Sequence, residues 1–307
     1  MAFRVLVSDP LAAEAVAEMM AAGLDVAVKT GLSPDELKKE IGAYEAIVVR
    51  SATKLRKDVL DRAERLELIV RAGVGLDNID VDHAKSKGIA VRNTPAASTN
   101  SVAELALGHL LSLARHIARG TVSLRAGRWE KKELKGVEIA GKILGIVGIG
   151  RIGQALARKA TALGMKVVAY DAFIKDSPLP EIVTMVPIED LLGGSDFISL
   201  HIPFDPKVGA TIGAAEIAAM RDGVRLINCA RGGVIDEAAL AQGLKTGKVA
   251  GAALDVFATE PPDIAGPLFA AEPLSLTPHI GAATVEAQGR VGDEAAEIVI
   301  AFAKDRD

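Results

Sequence analysis

The chain has 307 residues, half of them hydrophobic and a quarter charged, which suits about two soluble domains and excludes disordered, collagenous and low-complexity architectures. A net charge of −4 excludes a general nucleic-acid binder and a protein that rides on anionic membranes. The single cysteine, Cys229, excludes an intrachain disulfide and a cysteine-rich metal site, the five histidines lack ligand spacing so that no metal is expected, and a reducing, cytoplasmic setting fits.

The amino terminus reads as a strand over 3–7, an apolar run too short for a signal-peptide core. Val- and Ile-rich runs predict further strands at 25–28, 46–50, 66–70 and 89–92, of the kind buried on both faces. Ser33-Pro34-Asp35-Glu36 starts a helix, with Ser as N-cap, Pro at the first helical position and Glu at the third. Asn93-Thr94-Pro95 marks a turn and a hinge, and one long helix is predicted over 98–120. The most apolar stretch, 102–114, contains Glu104 and His109 and falls short of the roughly 20 apolar residues that a membrane span needs. A second series of strands follows at 142–147, 166–170, 196–200, 224–229, 251–256 and 274–277. The closing amphipathic stretch, 284–303, comes too late to extend that sheet and is predicted to cross back to the first domain. The fold class is therefore α/β: two Rossmann-like or flavodoxin-like parallel-sheet domains with a cleft between them.

Gly148-Ile149-Gly150-Arg151-Ile152-Gly153 is a GxGxxG that follows a strand and opens a helix, and Asp171 ends the next strand 18 residues later. That context is the dinucleotide fingerprint. Gly148 permits the tight turn, Gly150 lets backbone approach a pyrophosphate, and Gly153 lets helix and strand pack closely. The helix N-terminus offers N–H donors to the phosphates. Asp171 is placed to bind the adenosine ribose and to repel a 2′-phosphate, which favours NAD over NADP. The domain boundaries expected are a discontinuous substrate-binding domain, 1–95 plus 284–307, and an NAD-binding domain, 96–283.

Three strand ends in the second series carry chemistry. Asn228-Cys229-Ala230-Arg231-Gly232-Gly233 puts an arginine at one, Asp255 ends the next with Glu260 shortly after, and Pro278-His279-Ile280-Gly281 ends the last. Ligands of open α/β sheets bind outside such ends. An arginine there can hold a carboxylate and polarise a carbonyl, a histidine can exchange the hydroxyl proton, and a carboxylate can orient the imidazole. Hydride transfer to or from a 2-hydroxy acid needs such a set.

With these motifs in view, the stretches 48–54 (VVRSATK), 71–78 (RAGVGLDN), 228–236 (NCARGGVID), 251–257 (GAALDVF) and 278–288 (PHIGAATVEAQ) resemble the D-isomer-specific 2-hydroxyacid dehydrogenases, over nearly the whole chain. The resemblance implies Arg231, Glu260 and His279 as the catalytic set. It implies a cofactor surface of Gly148, Gly150, Arg151, Ile152, Gly153, Asp171, Ile202, Cys229, Ala230, Arg231, Asp255, His279, Gly281, Ala282 and Val74, with Asp255 beside the nicotinamide carboxamide. Ile202 stands where relatives often carry Thr, so only backbone contact is expected there. Arg50, Ser51, Lys54, Val74, Gly75 and Asn100, with Arg231 and His279, are implied for the substrate. The amides of Val74 and Gly75 suit a carboxylate, while Arg50 and Lys54 suit a phosphate.

Within the family the likeness runs to enzymes that oxidise 3-phospho-D-glycerate to 3-phosphohydroxypyruvate in the first step of phosphorylated L-serine biosynthesis. The alternatives are another D-2-hydroxyacid dehydrogenase, such as a glyoxylate or hydroxypyruvate reductase, and a non-catalytic, NAD-sensing corepressor-like module. The segment Trp129-Glu130-Lys131-Lys132 resembles a dimer contact, so a homodimer is implied. The small serine-binding regulatory domain of many relatives is not expected in this chain. Cys229 is read as a buried small residue, His201 as structural, and His83, His109 and His116 as helix-surface or interface residues.

Overall fold

The computed structural model describes residues 3–306, which form two compact units, one up to Ser98 and again from Ala282, the other Thr99–Gly281.

The first unit runs β1 (Arg4–Val7), α1 (Ala13–Ala21), β2 (Asp25–Val28), α2 (Pro34–Glu40), a short 3-10 turn, β3 (Ala46–Val49), α3 (Lys57–Leu60), β4 (Leu68–Arg71), α4 (Val81–Ser86) and β5 (Ala90–Asn93). Its five strands are parallel in the order β2-β1-β3-β4-β5. That is a doubly wound order, and its crossovers cover both faces with helices. β3 is wholly buried, as its Val-Ile run predicts, whereas β2 keeps exposed residues at both ends because an edge strand has one neighbour instead of two. The Ser33 box forms: Ser33 Oγ accepts from Glu36 N at 3.4 Å and Glu36 Oε2 accepts from Ser33 N at 2.9 Å. The last helix, Val285–Lys304, belongs to this unit, with Thr284 Oγ1 capping Ala287 N at 3.1 Å. It packs on α1 and β4, and Val291, Ala295, Ala296 and Val299 join Val5, Val7 and Met19 in one buried cluster.

The second unit opens with α5 (Thr99–Arg115) and α6 (Ile117–Arg125). The single helix expected over 98–120 is broken at His116, which sits at φ 56°. The cause is a crossing strand of chain: Val137 N donates to Ala114 O at 2.8 Å, taking a carbonyl that a continuing helix would use. There follow β6 (Ile143–Val147), α7 (Arg151–Ala162), β7 (Lys166–Tyr170), β8 (Val183–Met185), α8 (Ile188–Gly194), β9 (Phe197–Leu200), α9 (Ala214–Ala219), β10 (Val224–Asn228), α10 (Glu237–Thr246), β11 (Val249–Leu254) and β12 (Leu274–Leu276). In chain order the final helix of the first unit is then α11. The seven parallel strands are ordered β12-β11-β10-β9-β6-β7-β8, so the order in which the chain adds strands reverses between β6 and β9. Crevices at such a reversal bind ligands outside the carboxyl ends. β8 is an addition to the expected strands. Among the described residues no helix is long and apolar enough to cross a membrane.

Candidate active site

β6 delivers its carboxyl end into the glycine turn. Gly148 has φ 97°, and a Cβ there would lie 2.6 Å from His201 O. A Cβ on Gly153 would lie 2.3 Å from Gly148 O, so α7 can press on the turn only without one. At Gly150 an added Cβ meets nothing within 4 Å, and no side chain caps the start of α7. Open space over bare backbone, with free N–H donors behind it, is what a pyrophosphate requires. Arg151 is exposed and Ile152 half-buried at that helix start. Asp171 Oδ2 accepts from Ile149 N at 3.0 Å, while Oδ1 accepts from Phe173 N at 2.9 Å and Ile174 N at 3.1 Å. The carboxylate is thereby fixed beside the turn, where a ribose would lie. The residues present fit a dinucleotide.

The opposite side of the reversal is formed after β9 and β10. Ile202 is half-buried, and its Cγ2 would lie 2.9 Å from a Cβ on Gly148. Cys229 is buried, and desolvation pushes its thiol far up, which suits a packing residue and not a nucleophile. Asn228 ties the next turn with its amide: Oδ1 accepts from Ala230 N at 3.0 Å and Nδ2 donates to Arg231 O at 2.9 Å. Arg231 is half-buried, one of its Nη atoms donating to Ala230 O at 2.6 Å. A Cβ on Gly232 would fall 1.8 Å from Phe257 O, which explains the glycine after the arginine.

His279 follows β12 at φ 53°, a region that residues bearing a Cβ rarely adopt. Its Nδ1 lies 2.7 Å from Glu260 Oε2, and Glu260 Oε1 accepts from Phe257 N at 3.1 Å. Both side chains remain partly open to solvent, beside a cavity of about 470 Å³ whose walls include Phe257, Pro261, Pro262 and Ile264. Asp255 is only 1% exposed, and its carboxylate faces the histidine turn, accepting from Ile280 N and Gly281 N at 2.8 Å each and from Thr277 Oγ1 at 2.6 Å. Arg231, Glu260 and His279 thus all lie at carboxyl ends of the same sheet.

Other expected residues fall elsewhere. In the first unit the loop after β3 is held by Asp9, whose Oδ2 accepts from Arg50 N at 2.5 Å and Thr53 N at 3.1 Å. Asn78 Nδ2 donates to Arg50 O and Thr53 O at 2.7 Å each. Arg50 is half-buried, while Ser51 and Lys54 are exposed. Val74 and Gly75 are half-buried after β4, and Val74 O accepts from Asn93 Nδ2 at 2.6 Å. Asn100 is exposed on α5 and shares a pocket with Arg151 and Arg158, on the side of the dinucleotide turn. Gly281 and Ala282 stand at the division between the units.

His109 corrects an expectation. It is 4% exposed and no surface residue: Nδ1 lies 2.9 Å from Ser275 Oγ and Nε2 2.9 Å from Thr277 Oγ1. Its helical neighbours are apolar, but its partners are 166 and 168 residues away in sequence, beyond the reach of any local pattern. Asp9, Asn78 and Thr277 carry no signal of their roles along the chain, although the Ser8-Asp9-Pro10 sequence is a turn signal.

His201 is structural in its contacts, with Nε2 2.9 Å from Ser199 Oγ and Nδ1 sealed from solvent without a partner among the described residues. Burial pulls the imidazole down to about 4 from 6.5. Unfolding raises that value, so the unfolded chain binds the proton first as pH falls. The stabilisation is complete above about pH 6.5 and is lost on the way down to about 4. Its upper value is about 3 kcal/mol. Urea denaturation of His201→Gln should therefore show a flatter stability slope over that range; a slope equal to the parent's would refute the assignment.

Residues 107–281 match the family "D-isomer specific 2-hydroxyacid dehydrogenase, NAD binding domain". This chain belongs to that family. It is 50% identical to a hydroxypyruvate reductase of Thermotoga maritima, over 96% of both chains. It is 45% identical to a D-3-phosphoglycerate dehydrogenase of Archaeoglobus fulgidus, over 98% of this chain but only 57% of that one. Among solved structures it is similar to a D-lactate dehydrogenase of Aquifex aeolicus complexed with NAD and lactic acid, with a TM-score of 0.82, 33% identity, and coverage of 98% of this chain and 96% of that one. This dehydrogenase is therefore an NAD-dependent oxidoreductase of 2-hydroxy acids, and NAD is the dinucleotide its glycine turn serves.

Proposed function

We propose that this dehydrogenase oxidises 3-phospho-D-glycerate to 3-phosphohydroxypyruvate, the entry step of phosphorylated serine synthesis. The observation that carries this reading is the pair of cations on the loop after β3, Arg50 half-buried and Lys54 exposed, on backbone pinned by Asp9 and Asn78. A phosphate on C3 offers such a pair a partner that an unphosphorylated 2-hydroxy acid lacks. Ser51 and the amides of Val74 and Gly75 bind the carboxylate, with Asn100 as a further hydrogen-bond donor. Arg231 holds the carboxylate and polarises the oxygen on C2. His279 removes the hydroxyl proton, and Glu260 orients the imidazole through Nδ1. When bound, NAD supplies the hydride acceptor. Arg151, Ile152 and the turn glycines hold its pyrophosphate, Asp171 its ribose, and Ile202, Cys229, Ala230, Gly281, Ala282 and Val74 border it.

A second reading, reduction of hydroxypyruvate, is favoured by the 50% identical relative that matches 96% of both chains. Steady-state assays separate the two: 3-phosphoglycerate with NAD against hydroxypyruvate or glyoxylate with NADH. A higher kcat/KM on the phosphorylated pair supports the first reading, and Lys54→Ala should then raise its KM. A higher kcat/KM for hydroxypyruvate reverses the order. Inactivity with all three would point to another 2-hydroxy acid, and inactivity across that class to the corepressor-like reading.

Asp171 sets cofactor choice in this scheme. Removing its charge in Asp171→Ala should narrow the NAD preference over NADP by about tenfold or more, because like charges brought together cost several kcal/mol. Equal use of NADP by the parent would sink the assignment. A homodimer is proposed from an apolar surface on the second unit, where Ile117, Val122, Leu124 and Trp129 are all more than half exposed. Light scattering should give twice the chain mass; a monomeric mass would contradict it.

A further inference from the structure

Beneath the turn that carries His279 runs a buried polar chain, two of whose members, His109 and Thr277, no step above employs. His109 stands on α5, Thr277 directly follows β12, and Asp255 directly follows β11. We propose that His109 and Thr277 are positioning residues for the acid/base histidine: a relay from His109 Nε2–H through Thr277 Oγ1 to Asp255 Oδ1 locks the carboxylate that holds residues 279–281. The inference rests on the reading of His279 as the proton-exchanging group.

The direction of the relay follows from donor and acceptor counting. The Asp255 carboxylate only accepts, so the one Thr277 proton goes to Oδ1 across 2.6 Å. The Thr277 oxygen is then left to accept from His109 across 2.9 Å. Desolvation lowers the His109 pKa, and the nearby Asp255 charge opposes that only in part. The ring is also held at Nδ1, 2.9 Å from Ser275 Oγ, which itself lies 3.0 Å from Ser112 Oγ, so the imidazole is fixed at both ends. At the far end, Asp255 accepts from Ile280 N and Gly281 N, and its own carbonyl accepts from His279 N at 2.8 Å. His279 needs that grip, since φ 53° is disfavoured for any residue with a Cβ. Without the Thr277 hydroxyl, the carboxylate is anchored only by Ile280 N and Gly281 N, the turn it is meant to hold. The backbone then relaxes toward negative φ and carries the imidazole away from Glu260.

Turnover of Thr277→Val, Thr277→Ser, His109→Leu and His109→Gln tests this, with 3-phosphoglycerate and NAD or with hydroxypyruvate and NADH, whichever the parent turns over faster. Thr277→Val and His109→Leu should each lower kcat by roughly tenfold, the scale of a small misplacement of a reacting group, with the KM for the acid close to the parent's. Thr277→Ser, and His109→Gln with an amide N–H that can reach Thr277, should recover most of it. The double variant His109→Leu/Thr277→Val should fall no further than either single, because both break one relay. Parental kcat in Thr277→Val and His109→Leu, or losses that multiply in the double variant with no rescue by glutamine, would overturn the relay. Thr277→Val is nearly isosteric and half-buried, so it decides the matter where His109→Leu melts early. His279→Ala serves as the control: retained turnover there removes the site reading and the relay together, whereas an inactive His279→Ala beside an unaffected Thr277→Val removes the relay alone.

Discussion

His279→Ala should lower kcat by about 10²–10⁴-fold, the usual worth of a positioned general acid or base, while affinity for NAD stays near the parent value. The geometry behind this is specific. Nδ1 is committed to Glu260 at 2.7 Å, so Nε2 is the nitrogen available to a substrate hydroxyl, on a side chain that remains partly solvent-open. The other four imidazoles are placed elsewhere: His83, on α4, has Nε2 2.7 Å from Asp61 Oδ1, and His116 has Nε2 3.2 Å from Lys135 O at the α5–α6 break. His201 is sealed beside Ser199, and His109 is engaged at both nitrogens. Stopped-flow or steady-state measurement of NADH formation reads the loss directly. A folded His279→Ala enzyme with parental turnover would move proton exchange to another group.

Arg231→Gln should cost about 10²–10³-fold in kcat/KM, as expected for loss of a charged donor aimed at a reacting oxygen. Both parameters should worsen, since the guanidinium is asked to hold the carboxylate in the ground state and to stabilise the C2 oxygen later. Arg231→Lys should recover only part, because an ammonium is a point charge and lacks the planar fork that matches a carboxylate. The glycines that follow sharpen the test: with Phe257 O so close to Gly232, the loop has one course, and the substituted side chain inherits the same starting point. A kcat/KM unaffected by Arg231→Gln would refute both roles.

Much of this site is legible along the chain because each functional group ends a strand. Apolar runs that stop at Asp171, Arg231 and His279 mark the carboxyl edge of a parallel sheet, and that edge is where α/β proteins bind. The Ser33 cap and the Gly148 turn are readable for a similar reason, being local devices complete within six residues. What escapes is set by distant partners. The break at His116 depends on Val137 arriving over Ala114 O. β8 is three residues long at a sheet edge, too short for its alternation to register. The burial of His109 depends on hydroxyls supplied by β12 and the residue just after it, and the orientation of Asp255 depends on a turn 25 residues downstream.

The final helix gives the chain an order of assembly. Residues 99–281 are contiguous and enclose their own core, so this unit can condense as soon as it has been synthesised. The first 98 residues cannot do the same. Their five-stranded sheet emerges first, yet the cluster around Val5, Val7 and Met19 lacks Val291, Ala295, Ala296 and Val299 until the inserted unit has been made and α11 follows it. During synthesis one apolar face of that sheet, covered by α1 alone, therefore lacks its second helix for the whole time that the inserted unit is being made. The amino-terminal half-domain is the segment on which a chaperone has most to cover, and a ribosome stalled within α11 leaves a chain with a completed dinucleotide fold and an unfinished partner.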